Sequence, residues 1–156
     1  MKEILSIEIL TYKPEYADYF EKLNREWIEE SYTIEEVDIQ QFQNPELSIV
    51  KQGGEIFFAK LKNEITGMVA LKKGGNVFEL SKLAVTTRNR GLGAGKILCQ
   101  ALIDKARSIG VKNLVLYSNS KQTTAINLYR KLGFVEVELE PVLWERANVK
   151  MELTIA

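Results

Sequence analysis

The chain has 156 residues, of which 46% are hydrophobic and 27% are charged, and its 21 Lys and Arg residues balance 21 Asp and Glu residues. This length and composition are typical of a soluble globular protein, so we expect residues 1–156 to form a single domain. Zero net charge argues against a nucleic-acid partner that is held by a broad positive field. The chain has no histidine, which excludes His-based catalytic triads and His metal sites.

The amino terminus and the cysteine content indicate where the protein works. Residues 1–10 contain Lys2, Glu3 and Glu8, so they lack the apolar segment of a signal peptide. No apolar run approaches the length that crosses a bilayer. The single cysteine, Cys99, cannot form a disulfide within the chain and is interpreted as a packed helix residue. These features predict a cytoplasmic protein with no membrane partner and no metal site.

The first part of the chain is predicted to contain one strand and two helices. Residues 4–11 have the pattern of a strand, and Pro14 can begin a helix because its missing N–H is not needed there. One apolar helix face then follows, formed by Tyr16, Phe20, Leu23 and Trp27. A second, acid-rich helix is expected over residues 33–42, before Asn44-Pro45 ends it.

Three strands are predicted next, at residues 56–61, 65–71 and 77–85. The first two are joined by a tight turn at Lys62-Asn63, and Gly74-Gly75-Asn76 separates the second from the third. Because these links are short, the three strands are expected to form an antiparallel meander.

The second half of the chain is predicted to alternate helices and strands. A helix over residues 93–108 leads into a buried strand at 111–117, and this strand–helix–strand unit should be parallel and right-handed. The face of the last helix is formed by Ala125, Leu128, Tyr129 and Leu132. That helix should end at Gly133, and strands at 134–137 and 149–153 follow. The expected fold class is α/β, with a mixed central β-sheet flanked by helices on both faces.

The most informative segment is Arg88-Asn89-Arg90-Gly91-Leu92-Gly93-Ala94-Gly95, between a predicted strand and a predicted helix. Glycines let the backbone approach a ligand, and a helix start adds a positive dipole end, so the loop is typical of a pyrophosphate site. A P-loop would need Gly and Ser or Thr where the chain has Arg90 and Ile97. A dinucleotide fingerprint would need its third glycine where the chain has Lys96.

The loop instead resembles the Q/R-x-x-G-x-G/A signature of the GNAT superfamily of N-acetyltransferases, as Arg90-x-x-Gly93-x-Gly95. Residues 78–85 resemble the cofactor-lining strand of that family, and residues 119–134 resemble its second conserved block. The resemblance covers roughly residues 55–138. It implies a GNAT-like fold in which residues 55–138 bind acetyl-CoA and helices at about 12–45 bind the acceptor.

The resemblance also implies how acetyl-CoA is held. Backbone amides of the loop would bind the pyrophosphate, and the preceding strand would pair with the pantetheine arm like a sheet edge. The residues expected to bind acetyl-CoA are Leu83, Ala84, Val85, Arg88, Arg90, Gly91, Leu92, Gly93, Ala94, Gly95, Lys96, Asn119 and Tyr129. Either Asn119 or Gln122 would contact the pantetheine amides, and Asn119 is otherwise a turn residue that leads into a helix.

Two residues are predicted to be catalytic. Period-two alternation places Glu79 on the same strand face as Ser81, Leu83 and Val85, roughly 20 Å before Val85, which is the order of length of a pantetheine arm. The resemblance implies that Glu79 is the general base, directly or through water, and that Tyr129 protonates the leaving thiolate. The structural alternatives are a solvated strand-edge glutamate and a core tyrosine.

The acceptor side is the least specific part of the sequence. Candidate acceptor-binding residues are Trp27, Tyr32, Glu79 and Arg146. An acidic segment would favour a cationic amine and consists of Glu29, Glu30, Glu35, Glu36 and Asp38. The resemblance implies acetyl transfer to a small-molecule amine or amino acid in a ternary complex, without an acyl-enzyme. The alternatives are a peptide or protein amine, or a non-catalytic acyl-CoA-binding regulatory domain. Family members often dimerise, so a homodimer is also expected.

Overall fold

The computed structural model describes residues 6–140 and 147–155. The strands in these ranges are Ile7–Thr11 (β1), Glu55–Leu61 (β2), Glu64–Gly74 (β3), Val77–Val85 (β4), Asn113–Ser118 (β5), Val135–Val137 (β6) and Val149–Thr154 (β7). The helices are Ala17–Ser31 (α1), Glu36–Gln43 (α2), Ala94–Ser108 (α3) and Thr123–Lys131 (α4). Short 3-10 turns occupy Pro14–Tyr16 and Thr87–Asn89, and a π-helical turn occupies Glu46–Val50.

The strands form one sheet in the order β1-β2-β3-β4-β5-β7-β6. The first four are antiparallel neighbours, which confirms the predicted meander, and the turn residues Lys62 and Asn63 have φ values of 51° and 64°. β5 pairs with β4 in parallel, as predicted for the strand–helix–strand unit. β7 lies between β5 and β6 and is antiparallel to both. The sequence did not predict this insertion, because it depends on pairing between distant segments.

Successive residues of the central strands pack on opposite sides of the sheet. Phe57 belongs to a buried cluster that includes Leu98 of α3, whereas Phe58 belongs to a second cluster that includes Phe20 of α1. Both faces of the sheet are therefore covered by helices, as the predicted α/β fold requires. None of the helices in the described residues is long and apolar enough to cross a membrane.

β4 contains a bulge in its second half. The pairing register between β3 and β4 shifts by one residue between Met68 and Ala70, so that Lys82 and Leu83 together lie opposite a single residue of β3. Lys82 has a φ of 59°, a left-handed conformation that is uncommon for a residue other than glycine. The extra residue reverses the alternation of side chains along the rest of the strand.

The bulge corrects one sequence-based prediction. Leu80 and Leu83 both pack in the cluster on the α3 side of the sheet. Since neighbouring residues before the bulge alternate, Glu79 and Ser81 lie on the α1 side. The prediction that Glu79 and Ser81 share one strand face with Leu83 and Val85 is therefore wrong. The inserted residue, rather than simple alternation, determines which side chains of β4 lie on the α1 side of the sheet.

β4 and β5 separate soon after they meet. Their parallel pairing consists of Phe78 with Leu114 and Glu79 with Val115. Beyond Glu79, β4 has no strand partner on this side among the described residues, while β5 continues alongside β7. The sheet is thus split near its middle, and the opening contains one exposed edge of β4.

The turn before β2 depends on a glycine that touches backbone atoms. A Cβ added at Gly54 would lie 2.1 Å from the carbonyl oxygen of Leu71 and 2.9 Å from that of Ile49.

We expect Gly54→Ala to lower the free energy of unfolding by about 2 kcal/mol or more, measured by urea titration. Gly74→Ala is the matched control, since a Cβ there meets nothing within 4 Å, and its effect should stay within about 0.5 kcal/mol. Equal stabilities of the two variants would contradict this account.

Candidate active site

A cleft lies between the diverging parts of β4 and β5 and extends to α1, α2 and α4. It encloses about 1040 Å³, counting the part open to solvent. The candidate residues that line it are Trp27, Tyr32, Glu79, Leu83, Asn119 and Tyr129. These six residues come from three elements and two connecting segments, and they surround one space.

Glu79 lies where β3, β4 and β5 are still paired. Its cross-strand neighbours are Lys72 on β3 and Val115 on β5, and its side chain lines the cleft. Burial raises the pKa of Glu79 above its usual range, although the nearby charges of Lys72 and Lys82 and a hydrogen bond with Ser81 oppose this effect. A carboxylate with a raised pKa is better suited to accept a proton near neutral pH.

Tyr129 belongs to both the core and the cleft. Its ring meets that of Phe134 edge-on, with centroids 5.9 Å apart, and the residue is only 6% exposed. Burial raises the pKa of the Tyr129 hydroxyl, so the group stays protonated at neutral pH. The core and functional interpretations of this tyrosine are therefore compatible.

Asn119 stabilises the turn between β5 and α4 through two hydrogen bonds. Its side-chain oxygen accepts a hydrogen bond from the Lys121 N–H at 2.9 Å, and its carbonyl accepts one from the Gln122 N–H at 2.8 Å. These contacts make Asn119 the turn residue that leads from β5 into α4, as the structural alternative proposed. Asn119 and Gln122 both line the cleft.

The glycine-rich loop ends in a helix start that can receive an anion. Gly91 and Gly93 have φ values of 83° and 89°, and Gly93 directly precedes α3. The N-cap residue Gly93 has no side chain that could cap the first turn of α3, and the loop before this turn is largely exposed. This geometry fits a phosphate group, because the N–H groups and the helix dipole both favour negative charge. The loop adjoins the cleft through β4 and is not part of its lining.

The two arginines of the loop contact carboxylates of other elements. Arg90 binds both carboxylate oxygens of Glu30 on α1, at 2.7 and 2.8 Å, and its Nε donates to the Val85 carbonyl at 3.1 Å. These hydrogen bonds from Arg90 lower the pKa of Glu30. Arg88 forms an ion pair with Glu64. The loop is thus connected to α1 through Arg90.

The family of the chain follows from its sequence. The sequence profile of the Acetyltransferase (GNAT) family matches residues 12–134, which is more than half of the chain. The chain belongs to the GNAT family.

Individual relatives agree with this assignment. The chain is 29% identical over 93 residues to N-acetyltransferase family 8 member 2 of Rattus norvegicus, a match that covers 56% of this chain and 41% of the relative. The chain spans less than half the length of the curated relatives it matches. A GNAT-family acetyltransferase from Staphylococcus aureus Mu50 has a TM-score of 0.85 at 22% identity, over 96% of this chain and 99% of that one. The PaiA N-acetyltransferase of Thermoplasma acidophilum, solved with coenzyme A, has a TM-score of 0.78 at 20% identity, over the same shares. The predicted GNAT fold is confirmed.

Little of the acidic segment expected on the acceptor side of this GNAT protein lies in the cleft. Of the five carboxylates in the acidic segment, only Asp38 lines the cleft, and its carboxylate accepts a hydrogen bond from the Glu35 N–H at 2.8 Å. Glu30 is bound to Arg90 instead. The acidic segment thus contributes one carboxylate to the cleft lining, and the expectation that it favours a cationic amine stays a prediction.

Several cleft residues were not found from the sequence. Lys72 and Lys82 line the cleft beside Glu79, and Tyr117 lines it from β5. The Tyr117 hydroxyl donates to Glu140, and burial together with that carboxylate raises the pKa of Tyr117 to about 12. The position of Lys72 opposite Glu79 follows only from the register between β3 and β4. No local sequence pattern predicts the bulge that places Lys82 in the cleft lining. Arg146, a predicted acceptor residue, lies outside the described residues.

Cys99 is confirmed as a packing residue of α3. It is fully buried, and burial raises the pKa of its thiol to about 12. Such a thiol is neither a nucleophile nor a metal ligand at neutral pH. Within residues 6–140 and 147–155, no three His, Cys, Asp or Glu side chains form a group that could hold a metal ion.

The contact between Arg90 and Glu30 predicts local stability of the loop. Replacing Glu30 by Gln removes the charge that Arg90 binds at two points, so the loop should open more often. Amide hydrogen exchange in peptides covering residues 86–93 is expected to become about 3-fold to 10-fold faster, measured by mass spectrometry. Glu29→Gln, one residue earlier on the same helix, is the matched control. Unchanged exchange in Glu30→Gln would show that the contact does not hold the loop.

Proposed function

We propose that this protein is an acetyl-CoA-dependent N-acetyltransferase acting on the primary amine of a small molecule or amino acid. The observation that carries the proposal is the cleft, which combines the raised-pKa carboxylate of Glu79 with the protonated hydroxyl of Tyr129. Residues 1–156 would act as one domain in the cytoplasm. The helices at 12–45 would form the acceptor side, and residues 55–138 would hold acetyl-CoA.

The residues of the loop and of β4 fit acetyl-CoA. The uncapped start of α3, with Gly91 and Gly93 before it, would bind the pyrophosphate through N–H groups. The free edge of β4 beyond Glu79 would pair with the pantetheine arm through the main chain of Leu83 and Val85. Family membership and the coenzyme A bound to PaiA of Thermoplasma acidophilum support this assignment. Bound acetyl-CoA supplies the thioester carbonyl that the acceptor amine attacks.

The side chains of the cleft have complementary proton-transfer roles. Glu79 takes a proton from the acceptor amine, directly or through water, because its raised pKa brings it closer to that of an ammonium group. A backbone N–H near Leu83 polarises the carbonyl in the manner of an oxyanion hole. Tyr129 gives a proton to the leaving sulfur. Since the Cys99 thiol is buried and protonated, attack is direct and no acyl-enzyme forms.

A thiol-release assay with acetyl-CoA and a panel of amines tests the function. Cys99 is buried, so the folded enzyme should not consume the thiol reagent. Turnover on small amines supports the proposal, and turnover confined to peptide amines would move the acceptor class to peptides or proteins. If calorimetry detects saturable acetyl-CoA binding but no amine is acetylated, the protein would instead be assigned as a non-catalytic acyl-CoA-binding domain. Absence of binding would overturn the cofactor assignment.

Glu79→Gln tests the general base. The variant should reduce kcat/KM by about 10²-fold at neutral pH, because the acceptor amine is then protonated and needs a base. The deficit should shrink as the pH rises and the amine loses its proton without help. In the wild type, activity should fall as the pH drops through the raised pKa of Glu79. Glu136→Gln, on β6 and outside the cleft, is the control, and identical pH profiles for Glu79→Gln and wild type would remove Glu79 from the mechanism.

Tyr129→Phe tests the general acid. The substitution keeps the ring that packs against Phe134 and removes only the hydroxyl, so stability should change little. Turnover should fall by no more than about 10²-fold, because a thiolate with a pKa of about 8.5 leaves readily even without a proton. KM for acetyl-CoA should stay nearly constant. Tyr19→Phe, at an exposed position on α1, is the control, and unchanged kcat in Tyr129→Phe would contradict the assignment.

A further inference from the structure

A side pocket adjoins the cleft beneath α2. It encloses about 270 Å³, counting the part open to solvent, and is lined by Gln41, Ser48, Ile49, Lys72 and Lys82. Three of these residues, Gln41, Lys72 and Lys82, also line the cleft. The two cavities therefore share a wall that carries two ammonium groups and a side-chain amide.

The bulge in β4 directs Lys82 to this wall. Simple alternation would place Lys82 with Leu80 on the α3 side of the sheet. Instead its Nζ donates to the side-chain oxygen of Gln41 on α2. The left-handed φ of 59° at Lys82 is a conformation that a non-glycine residue keeps only where the surrounding structure holds it, and such positions are concentrated at functional sites.

Lys72 reaches the same wall from β3. It is the cross-strand neighbour of Glu79, and both lysine charges act on the Glu79 carboxylate. Glu79 therefore lies between two ammonium groups in the lining of the cleft. This arrangement is complementary to an acceptor that carries an ammonium group and a carboxylate close together, and it repels a second ammonium group.

We propose that Lys72, Lys82 and Gln41 bind the carboxylate of the acceptor, so that the substrate is an amino acid and not a polyamine or simple alkylamine. This inference rests on the proposed acetyltransferase function. A lysine ammonium has three N–H donors, so the contact between Lys82 and Gln41 is compatible with a carboxylate oxygen at the same nitrogen. The Gln41 amide can donate a further hydrogen bond from its nitrogen.

Binding of a carboxylate there would also act on the base. The charged and titratable groups around Glu79 are Lys72 from β3, Lys82 from β4, Tyr117 from β5 and Asp38 from α2. The two lysines lower the pKa of Glu79 against the effect of burial. A bound carboxylate would offset part of their field, so the pKa of Glu79 would rise when a matching acceptor is in place. An amine without a carboxylate would leave Glu79 the weaker base.

The test compares each amino acid with the amine that its decarboxylation would give. Suitable pairs are leucine and isopentylamine, phenylalanine and phenethylamine, and lysine and cadaverine. The readout is the ratio of kcat/KM within a pair at about pH 9, several units above the pKa of an ordinary glutamate. Comparing this ratio between variants cancels the different basicities of the two amines.

The wild type should prefer the amino acid of each pair. Lys72→Gln and Lys82→Gln should each lower the ratio by about tenfold or more, mainly through KM for the amino acid. Lys73→Gln is the matched control, since Lys73 follows Lys72 on β3, lies 5.8 Å from the ring of Phe78 and lines neither cavity. Its ratio should equal that of the wild type.

Three outcomes would overturn the carboxylate site. These are equal activity on both members of each pair, equal loss on both members in the lysine variants, or a preference for O-phosphoethanolamine over every amino acid. The last result would assign the pocket to a phosphate. If no amine is acetylated, the proposed function fails, and calorimetric titration of leucine and isopentylamine with coenzyme A present still decides the pocket. Tighter binding of leucine that is lost in Lys72→Gln would then support the site, and equal binding would reject it.

Discussion

The site depends on the early end of the pairing between β4 and β5. Two parallel strands that stayed paired would leave no room between them, and their polar backbone groups would satisfy each other. Here the pairing ends after Glu79, so the next residues of β4 present a strand edge inside the molecule. An unpaired strand edge is a template for pairing with another extended chain. In the proposed complex, the pantetheine arm of acetyl-CoA, an extended chain with amide groups, would be that partner. Glu79 lies at the point where the two strands separate.

A split sheet must be held together from outside, and the helices on its two faces do this. On one face, α1 packs Phe20 and Leu23 against the sheet, and Glu30 near its end binds Arg90 of the glycine-rich loop. On the other, Tyr129 of α4 packs with Phe134 in the cluster that includes α3. The helices that line the cleft thus also contact the elements on either side of it, so a change in the packing of α1 should alter the glycine-rich loop that Glu30 binds.

The parts of this protein that could be predicted from the sequence are those with local causes. The turn at Lys62 and Asn63, the helix faces and the glycine-rich loop all depend on residues close together in the chain, and the structure agrees with each. The bulge at Lys82 and the insertion of β7 between β5 and β6 depend on pairing between distant segments, which no local pattern encodes. The placement of the acidic segment could not be predicted for a related reason. Composition reports charge, but tertiary contacts decide that Glu30 binds Arg90 and that Asp38 caps a helix.

The electrostatics of the cleft combine two opposing requirements. A general base benefits from burial, which raises the pKa of Glu79, whereas a carboxylate-binding wall requires cations, which lower it. Burial is the larger effect in the free protein, so Glu79 remains a stronger base than an exposed glutamate despite Lys72 and Lys82. An acceptor with a carboxylate would offset part of the positive charge of Lys72 and Lys82, so the pKa of Glu79 would be higher while that acceptor is bound. In the proposed mechanism, the bulge that places Lys82 near Glu79 would therefore link acceptor recognition to the strength of the base, whereas regular alternation would place Lys82 on the opposite face of the sheet.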